Sequence, residues 1–517
     1  MDFEPPEYKK ATPSLFSAPK NIMISKIALL SLVVASAMAQ NSTEPEASPL
    51  VAGDISWVLM SSALVFLQIP ALGLFYSGLT ESKNSLSILL SVMLCFCVVL
   101  VQWVLFGYSL SFSDVSSSSF IGDFHYAALI NTMDTENLIA PSIPNSLLSM
   151  YQMMFACITP GLFVGGVAGR MRLLPMMVFV FIWTTIVYDP IAYWNWSANG
   201  WLHTLNCMDY AGGSVVHLSS GVTGFVLAIM LGKRVDYGTR DYKPHNPTFV
   251  YIGTALLWFG WNGFNGGSAL ASNQRSVGAA FATNIAAGAG GLAMMALEAY
   301  VNKKRFSAIA FCNGVVCALV AITPGSGFVA PAFGLVFGIV NSFVVFYAGR
   351  LVHYFRVDDC LDVAASHAVG GAFGMILTGI LAQSEVTTIA ATPSAPAGWL
   401  SGVWIQLPIQ LAGIASVAAW TAAWTVIIVL VINCIPGLKM RCHKDAEVMG
   451  LDAYEVGEDS YPYIAVAAKS LAESIKSDSA SMKEEKEGLR SSSPFPSQTT
   501  LSSETVGIEI TCHPKSL

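Results

Sequence analysis

Asp209-Tyr210-Ala211-Gly212-Gly213-Ser214-Val215-Val216-His217 opens an apolar run that continues to Gly232, and Asp359-Cys360-Leu361-Asp362-Val363-Ala364-Ala365-Ser366-His367 opens another that continues to Ala382. Each puts a histidine eight residues after an aspartate. Eight residues of helix rise ~12 Å, nearly half of a ~30 Å hydrocarbon core. Each histidine is therefore predicted near the membrane midplane. Counting spans along the chain, the first run enters from outside and the second from inside. That is the pattern of an inverted repeat about an axis in the membrane plane. The fold class that follows is an all-α polytopic membrane protein.

Composition agrees. Of 517 residues, 54% are hydrophobic and 11% are charged, against ~25% charged in a soluble domain. Mean hydropathy is +0.58. This excludes a disordered protein, and a net charge of -7 argues against a nucleic-acid partner. The ten cysteines include no C-x-x-C pair, so no zinc site or disulfide framework is indicated and no cofactor is expected.

A spanning helix needs ~20 apolar residues. Eleven stretches qualify: 55–78, 85–110, 146–169, 173–194, 209–232, 248–270, 276–300, 306–324, 327–350, 363–382 and 402–435. Spans 1–5 and 6–10 form the two halves of the repeat, and the long span 11 stands outside it. Ile158-Thr159-Pro160-Gly161 in span 3 recurs as Ile322-Thr323-Pro324-Gly325 in span 8. The expected organisation is an extension over 1–39, an extracellular N-terminus over 40–54, a transmembrane domain over 55–435, and a cytosolic tail over 436–517.

Basic residues set the orientation. Alternate connections and the start of the tail hold fifteen of them, among them Lys83, Arg170, Arg172, Lys233, Arg234, Lys303, Arg350, Lys439, Arg441 and Lys444; the opposite connections hold only Arg275. The N-terminus is therefore predicted outside and the C-terminus in the cytosol. Ile27–Ala39 is too short to span comfortably, and Ala37-Met38-Ala39 ends it like a signal-peptidase site. A cleaved signal peptide is expected, with an uncleaved anchor as the alternative. Asn41-Ser42-Thr43 is then an extracellular glycosylation acceptor. Beyond about 460 the chain turns to Ser, Lys and Glu, the composition of a disordered tail. Its Ser and Thr residues offer sites to a kinase or other cytosolic regulator.

Ionisable residues deep in lipid are costly and usually functional. A single intramembrane histidine often serves only to bond a neighbouring helix. Two at matching depth and matching aspartate spacing argue for a shared path through the bilayer. Asp209 and Asp359 also have a simpler reading, as N-caps of the helices they open. Paired glycines such as Gly212-Gly213 and Gly370-Gly371 allow close helix approach and a narrow pore. Aromatics gather toward the outer ends: Tyr151 and Phe155 in span 3, Trp194, Trp196 and Trp201 after span 4, and Trp258, Trp261 and Phe264 in span 6. Part of this is an aromatic belt, to which Trp201 is assigned. The rest would attract a small cation by ~0.5–2 kcal/mol, while an apolar throat below would favour its neutral form.

These residues resemble the Amt/Mep/Rh ammonium transporter family, and most of all its fungal Mep-type branch. The similarity covers about residues 50 to 455 and rests on four motifs in order. They are Tyr151 to Thr159, Asp209 to Gly232, Trp258 to Ser268, and Asp359 to Gly371. The resemblance implies that Trp196, Ser268, Phe155 and Asp209 recruit ammonium. It further implies that Phe155 and Phe264 form a gate, that His217 and His367 line the pore, and that Tyr151, Trp261 and Asp359 support them. It implies a homotrimer with one pore per subunit, in the lipid bilayer of the plasma membrane, taking ammonium, ammonia and the analogue methylammonium. Met449-Gly450-Leu451-Asp452 and Glu455-Val456-Gly457 resemble the family's regulatory tail only loosely. Asp189 has no place in the pattern, and Pro190 beside it suggests a bend near the outer vestibule.

Three rival readings differ in kind. An ammonium receptor that transports little would carry the same pore residues. A CO2 or neutral-gas channel of the Rh type is opposed by the cation-collecting Trp196 and Ser268. An intramembrane enzyme would need a metal triad or a nucleophile beside a base, and the two Asp–His pairs lie on opposite surfaces.

Overall fold

The computed structural model describes residues 50–239, 242–303, 305–389 and 396–461. Ile27–Ala39, Asn41 and the tail beyond 461 lie outside the described residues. The first compact unit closes at Ser460; of the second, Tyr461–Leu517, only Tyr461 is described.

Among the described residues, nine helices are long and apolar enough to cross a membrane. They are Ala52–Leu79 (span 1), Ser82–Phe112 (span 2), Asn145–Val167 (span 3), Leu173–Thr204 (span 4), Gly213–Leu231 (span 5), Gln274–Val301 (span 7), Pro331–Tyr354 (span 9), Ala364–Leu381 (span 10) and Gln406–Cys434 (span 11). Span 6 is Pro247–Gly266, whose apolar character is diluted by Asn262, Asn265 and four glycines. Span 8 is Ala308–Ile322 and has only 15 residues. Thr323-Pro324 follows it; Thr323 keeps helical dihedrals (φ −52°, ψ −48°), and the chain then continues in turns. The matching Pro160 does not stop span 3, whose α-helix runs on to Val164. The eleven-span architecture stands, with the repeat imperfect at this motif.

The two histidine runs begin their helices later than the sequence suggests. Asp209–Gly212 and Asp359–Asp362 are not helical. Each helix then opens with a π-type turn, Gly213–Leu218 and Ala364–Val369. The entry is therefore a non-helical approach followed by one wide turn, so the rise of an unbroken eight-residue helix does not describe the path from each aspartate to its histidine.

Spans 5 and 10 cross where these turns meet. Gly221 lies four residues after His217, and Gly371 four residues after His367. A Cβ on Gly221 would collide with the backbone nitrogen of Ala368. One on Gly371 would fall 2.6 Å from the Gly213 carbonyl oxygen and 3.0 Å from the His217 Cβ. Both halves of the repeat thus use the same device: a glycine one turn past the histidine lets the partner's backbone touch.

One end of the bundle gathers the basic connections. Arg234 pairs with Asp358 at 2.6 Å, Arg172 with Glu455 at 3.3 Å and Arg441 with Glu447 at 3.0 Å. Burial opposes the charge on Asp358, but the Arg234 guanidinium, with Arg170 beside it, holds this carboxyl below the usual carboxylate range.

The first part of the tail lies across this end and closes open helix termini. The Asp452 carboxylate accepts from the Leu86 and Ser87 N–H groups of span 2 at 2.9 and 2.7 Å. Glu455 accepts from Leu173 N–H at the start of span 4 at 3.3 Å. Arg441 donates to the Leu231 and Lys233 carbonyls at the end of span 5 at 2.7 and 2.6 Å.

Candidate functional site

At the opposite end, four spans contribute to a column of rings. The Trp196 indole N–H donates to the Asp209 carbonyl at 2.9 Å, which fixes the ring over the start of span 5. Phe112 stacks against Trp196 at 6.4 Å between centroids, and Phe155 meets it edge-on at 5.9 Å. Phe155 and Phe264 are 4.2 Å apart, and both are buried. Rings this close leave no room for a molecule between them.

Hydrogen bonds hold this region in register. The Tyr151 hydroxyl lies 2.8 Å from the Phe264 carbonyl, 3.0 Å from that of Gly263 and 3.2 Å from Ser268 Oγ. Ser268 Oγ donates to the Phe264 carbonyl at 2.8 Å. Trp261 donates its indole N–H to Thr323 Oγ1 at 3.0 Å. That bond gives the repeated Ile-Thr-Pro-Gly motif a local task, since Thr323 ties span 8 to the ring beside the histidines.

Below the phenylalanines, the His217 ring stacks on Trp261 at 5.6 Å and on His367 at 5.4 Å. The two Nδ1 atoms are 3.4 Å apart. One must carry a proton and the other accept it, so the pair shares a single proton between facing nitrogens. His217 Nε2 has no partner, though it is buried. The two imidazoles line a cavity together with Phe264, Trp261, Tyr76, Leu162 and other apolar side chains. The room for the centre of a water-sized molecule there is about 20 Å³. That suffices for one small molecule of the size of water, which needs ~10–15 Å³ on this measure. It is far too little for an ion with its hydration shell.

The two aspartates flank this path without lining the cavity. Asp209 is buried and accepts backbone N–H bonds from Gly212, Gly213, Ser214 and Val215 at 2.6–3.1 Å, and the Ser214 hydroxyl at 2.6 Å. Asp359 accepts from Ala364 N–H at 2.7 Å through Oδ2, while its Oδ1 has no hydrogen-bond partner. Neither aspartate is the N-cap residue, a place held by Gly212 and Val363; Asp209 reaches in from three residues earlier to bond the N–H groups of the first turn, and Asp359 from four residues earlier to bond one.

Other expectations are placed elsewhere. Trp258 donates to Asn284 of span 7 at 2.9 Å. Trp194 donates to the Phe120 carbonyl and packs with Trp201 and Trp420. Neither joins the column. Asp189 is not at a vestibule: it is fully buried, accepting from Gln102 at 2.7 Å and Ser111 at 3.2 Å, and so ties span 4 to span 2. Phe112 is the column member that sequence reasoning missed. It lies between Ser111 and Ser113, just past the 85–110 stretch, in a serine-rich segment where a lone phenylalanine carries no signal.

A sequence model of the Ammonium Transporter Family matches residues 56–461. The chain belongs to the ammonium transporter family. Among its relatives in that family, Ammonium transporter 1 of Schizosaccharomyces pombe is 44% identical over 412 residues, covering 80% of this chain and 82% of the relative. Ammonium transporter MEP2 of Saccharomyces cerevisiae is 42% identical, covering 79% and 83%. The crystal structure of Candida albicans Mep2 superposes with a TM-score of 0.73 at 40% identity, over 77% of this chain and 88% of that one. A structure described as a sensor Amt protein superposes at 0.71 with 26% identity, over 78% and 98%. The two superposed structures share the all-helical fold of this chain.

Proposed function

We propose that this chain is a plasma-membrane ammonium permease that collects NH4+ at Trp196, Ser268, Phe155 and Asp209 and conducts NH3 past His217 and His367. The observation that carries this is the pair of imidazoles, 3.4 Å apart in an apolar cavity with room for one water-sized molecule. A cation reaching the ring column gains ~0.5–2 kcal/mol from the aromatic faces. To go further as an ion it would shed its hydration in an apolar throat, which costs far more. Release of a proton to the water at the outer mouth removes that cost, and that proton either stays outside or crosses separately from NH3. Ammonia is neutral, of the size of water, and able both to donate to and accept from the imidazole nitrogens.

The Phe155–Phe264 pair is the gate in this reading. Asp209 orders the mouth: by capping span 5 and holding Trp196 through its own carbonyl, it sets the geometry in which the proton leaves. Tyr151 and Trp261 position the gate and the upper histidine, and Asp359 stands at the far exit. The chain works as a homotrimer with its N-terminus outside and its C-terminus in the cytosol. Clustering of the basic connections and the tail at one end supports that orientation. A cytosolic regulator or kinase acts through the tail, and no enzymatic step is involved.

Purified protein on a supported membrane tests this. Ammonium jumps, and methylammonium jumps to a lesser degree, should drive substrate uptake that K+ jumps do not. Absence of uptake in folded protein, with an ammonium-dependent signalling output intact in cells, would favour the receptor reading. The structural likeness to a sensor Amt protein keeps that reading in view.

A further inference from the structure

A second pocket lies at the other end of the molecule from the ring column. It has a volume of about 520 Å³ and is walled by Lys233 and Val235 just after span 5, and by Arg441, Cys442, His443 and Lys444 of the tail. Three permanent positive charges and an imidazole line it, and no carboxylate does. Three acids neighbour it in sequence without lining it, Asp236, Asp445 and Glu447, and Glu447 is spent: one oxygen accepts from Val235 N–H at 2.6 Å, and the other pairs with Arg441 at 3.0 Å. Arg441 is in turn pinned to the span 5 carbonyls. Lys233 Nζ stands 5.3 Å from the centre of the Tyr237 ring. Lys444 and His443 are exposed.

Like charges held this close repel one another unless an anion joins them. Spans 5 and 11 pack side by side and both end here, with the exposed apolar side chains Ile229, Val431 and Ile435 in or next to their last turns. The pocket therefore sits at the depth of a lipid headgroup. Basic pockets between helix ends on the cytoplasmic side are suited to phosphorylated headgroups.

We propose that this pocket binds the phosphomonoester headgroup of an anionic lipid, clamping the tail to the end of span 5. A phosphomonoester brings a charge of about −1.5 to −2 and three strong acceptor oxygens, which matches two exposed lysines beside a fixed arginine. A bound headgroup would hold Arg441 on span 5, and with it the following segment through which Asp452 and Glu455 close spans 2 and 4. The assignment of the lipid to the cytosolic leaflet rests on the orientation proposed above. Binding itself does not, because a nanodisc exposes both faces.

The test uses the full chain in nanodiscs of phosphatidylcholine with either phosphatidylinositol phosphate or phosphatidylserine, read by native mass spectrometry. The expected result is selective retention of phosphatidylinositol phosphate. Retention should fall by about fivefold for each lysine neutralised in Lys233→Gln and Lys444→Gln, and recover in Lys233→Arg with Lys444→Arg. Hydrogen exchange over residues 439–452 should slow when that lipid is present. Equal retention by the wild type and the double glutamine variant would overturn the proposal. Displacement of the lipid by inorganic phosphate at comparable concentration would overturn the lipid as the source and leave a free-phosphate site.

Discussion

The aspartates that open spans 5 and 10 hold matching places in the repeat, yet their surroundings treat them differently. Asp209 has its acceptor positions filled by four N–H groups and a hydroxyl. Asp359 keeps one oxygen without a partner although it is buried. The histidines they lead to are alike: both buried, on matching π-type turns, each followed by a glycine at the crossing. The lesson is that the repeat preserves backbone geometry around the path and lets the two mouths diverge in chemistry. A saturated carboxylate builds a rigid entrance. A half-satisfied one leaves an acceptor to spare at the start of span 10, near the basic connections.

The largest effect should come from the shared part. Gly221→Val and Gly371→Val should each prevent assembly of a folded transporter. The colliding atoms are main chain, so the cost exceeds the ~1–3 kcal/mol of ordinary overpacking. Size-exclusion profiles in detergent check this, and a monodisperse Gly221→Val protein would break the equivalence of the halves.

Next, the double change His217→Ala with His367→Ala should open room for water. Ammonium uptake would then lose its coupling to the proton, and K+ current should appear at high external K+. Continued K+ exclusion would move the filter up to Phe155 and Phe264.

The aspartates should separate. Asp209→Ala strips buried N–H groups of their acceptor, each unsatisfied group costing ~1–3 kcal/mol, so its melting temperature should fall clearly and transport should be lost. Asp359→Ala removes one bonded oxygen and one orphan, and should melt close to wild type. Equal losses would erase the distinction drawn here.

The smallest effect concerns pH at the basic end. Arg234 and Arg170 depress Asp358 below its ordinary value. Its stabilising contribution is therefore fully present above the usual carboxylate range, near ~4, and is lost as pH falls through the lower folded value. The protection of residues 357–361 against hydrogen exchange, relative to the intrinsic rate at each pH, should be flat from neutral pH down to that range and fall below it. Asp358→Asn should show the faster exchange already at neutral pH.

Much of this molecule was legible because lipid makes polar groups conspicuous. Two histidines in apolar runs announce a path, and their aspartate spacing announces the repeat. What escaped the sequence depends on distance along the chain. That Gly371 touches His217, that Asp452 caps span 2, and that Thr323 receives Trp261 are contacts between residues far apart, and no local pattern encodes them. The π-type turns escaped because helical periodicity tolerates one extra residue per turn without a visible break. Asp189 looked functional by the same reasoning that found the histidines. It proved to be a buried tie between spans 2 and 4, because Gln102 and Ser111 are themselves polar residues placed to receive it.

The contact of spans 5 and 10 through bare backbone has a consequence for what could ever be made to pass. Where side chains set the width of a conduit, substitution can widen or narrow it by degrees. Here the gauge between the imidazoles is set by two main chains already in contact at Gly221 and Gly371, neither of which has an atom left to trim. Enlarging the path means removing the imidazoles themselves, which abandons the proton they share. Tolerance of a bulkier amine therefore has to be sought in the rings above, where Phe155 and Phe264 can be exchanged for smaller residues, and any gain there ends at a passage whose bore the chain cannot retune.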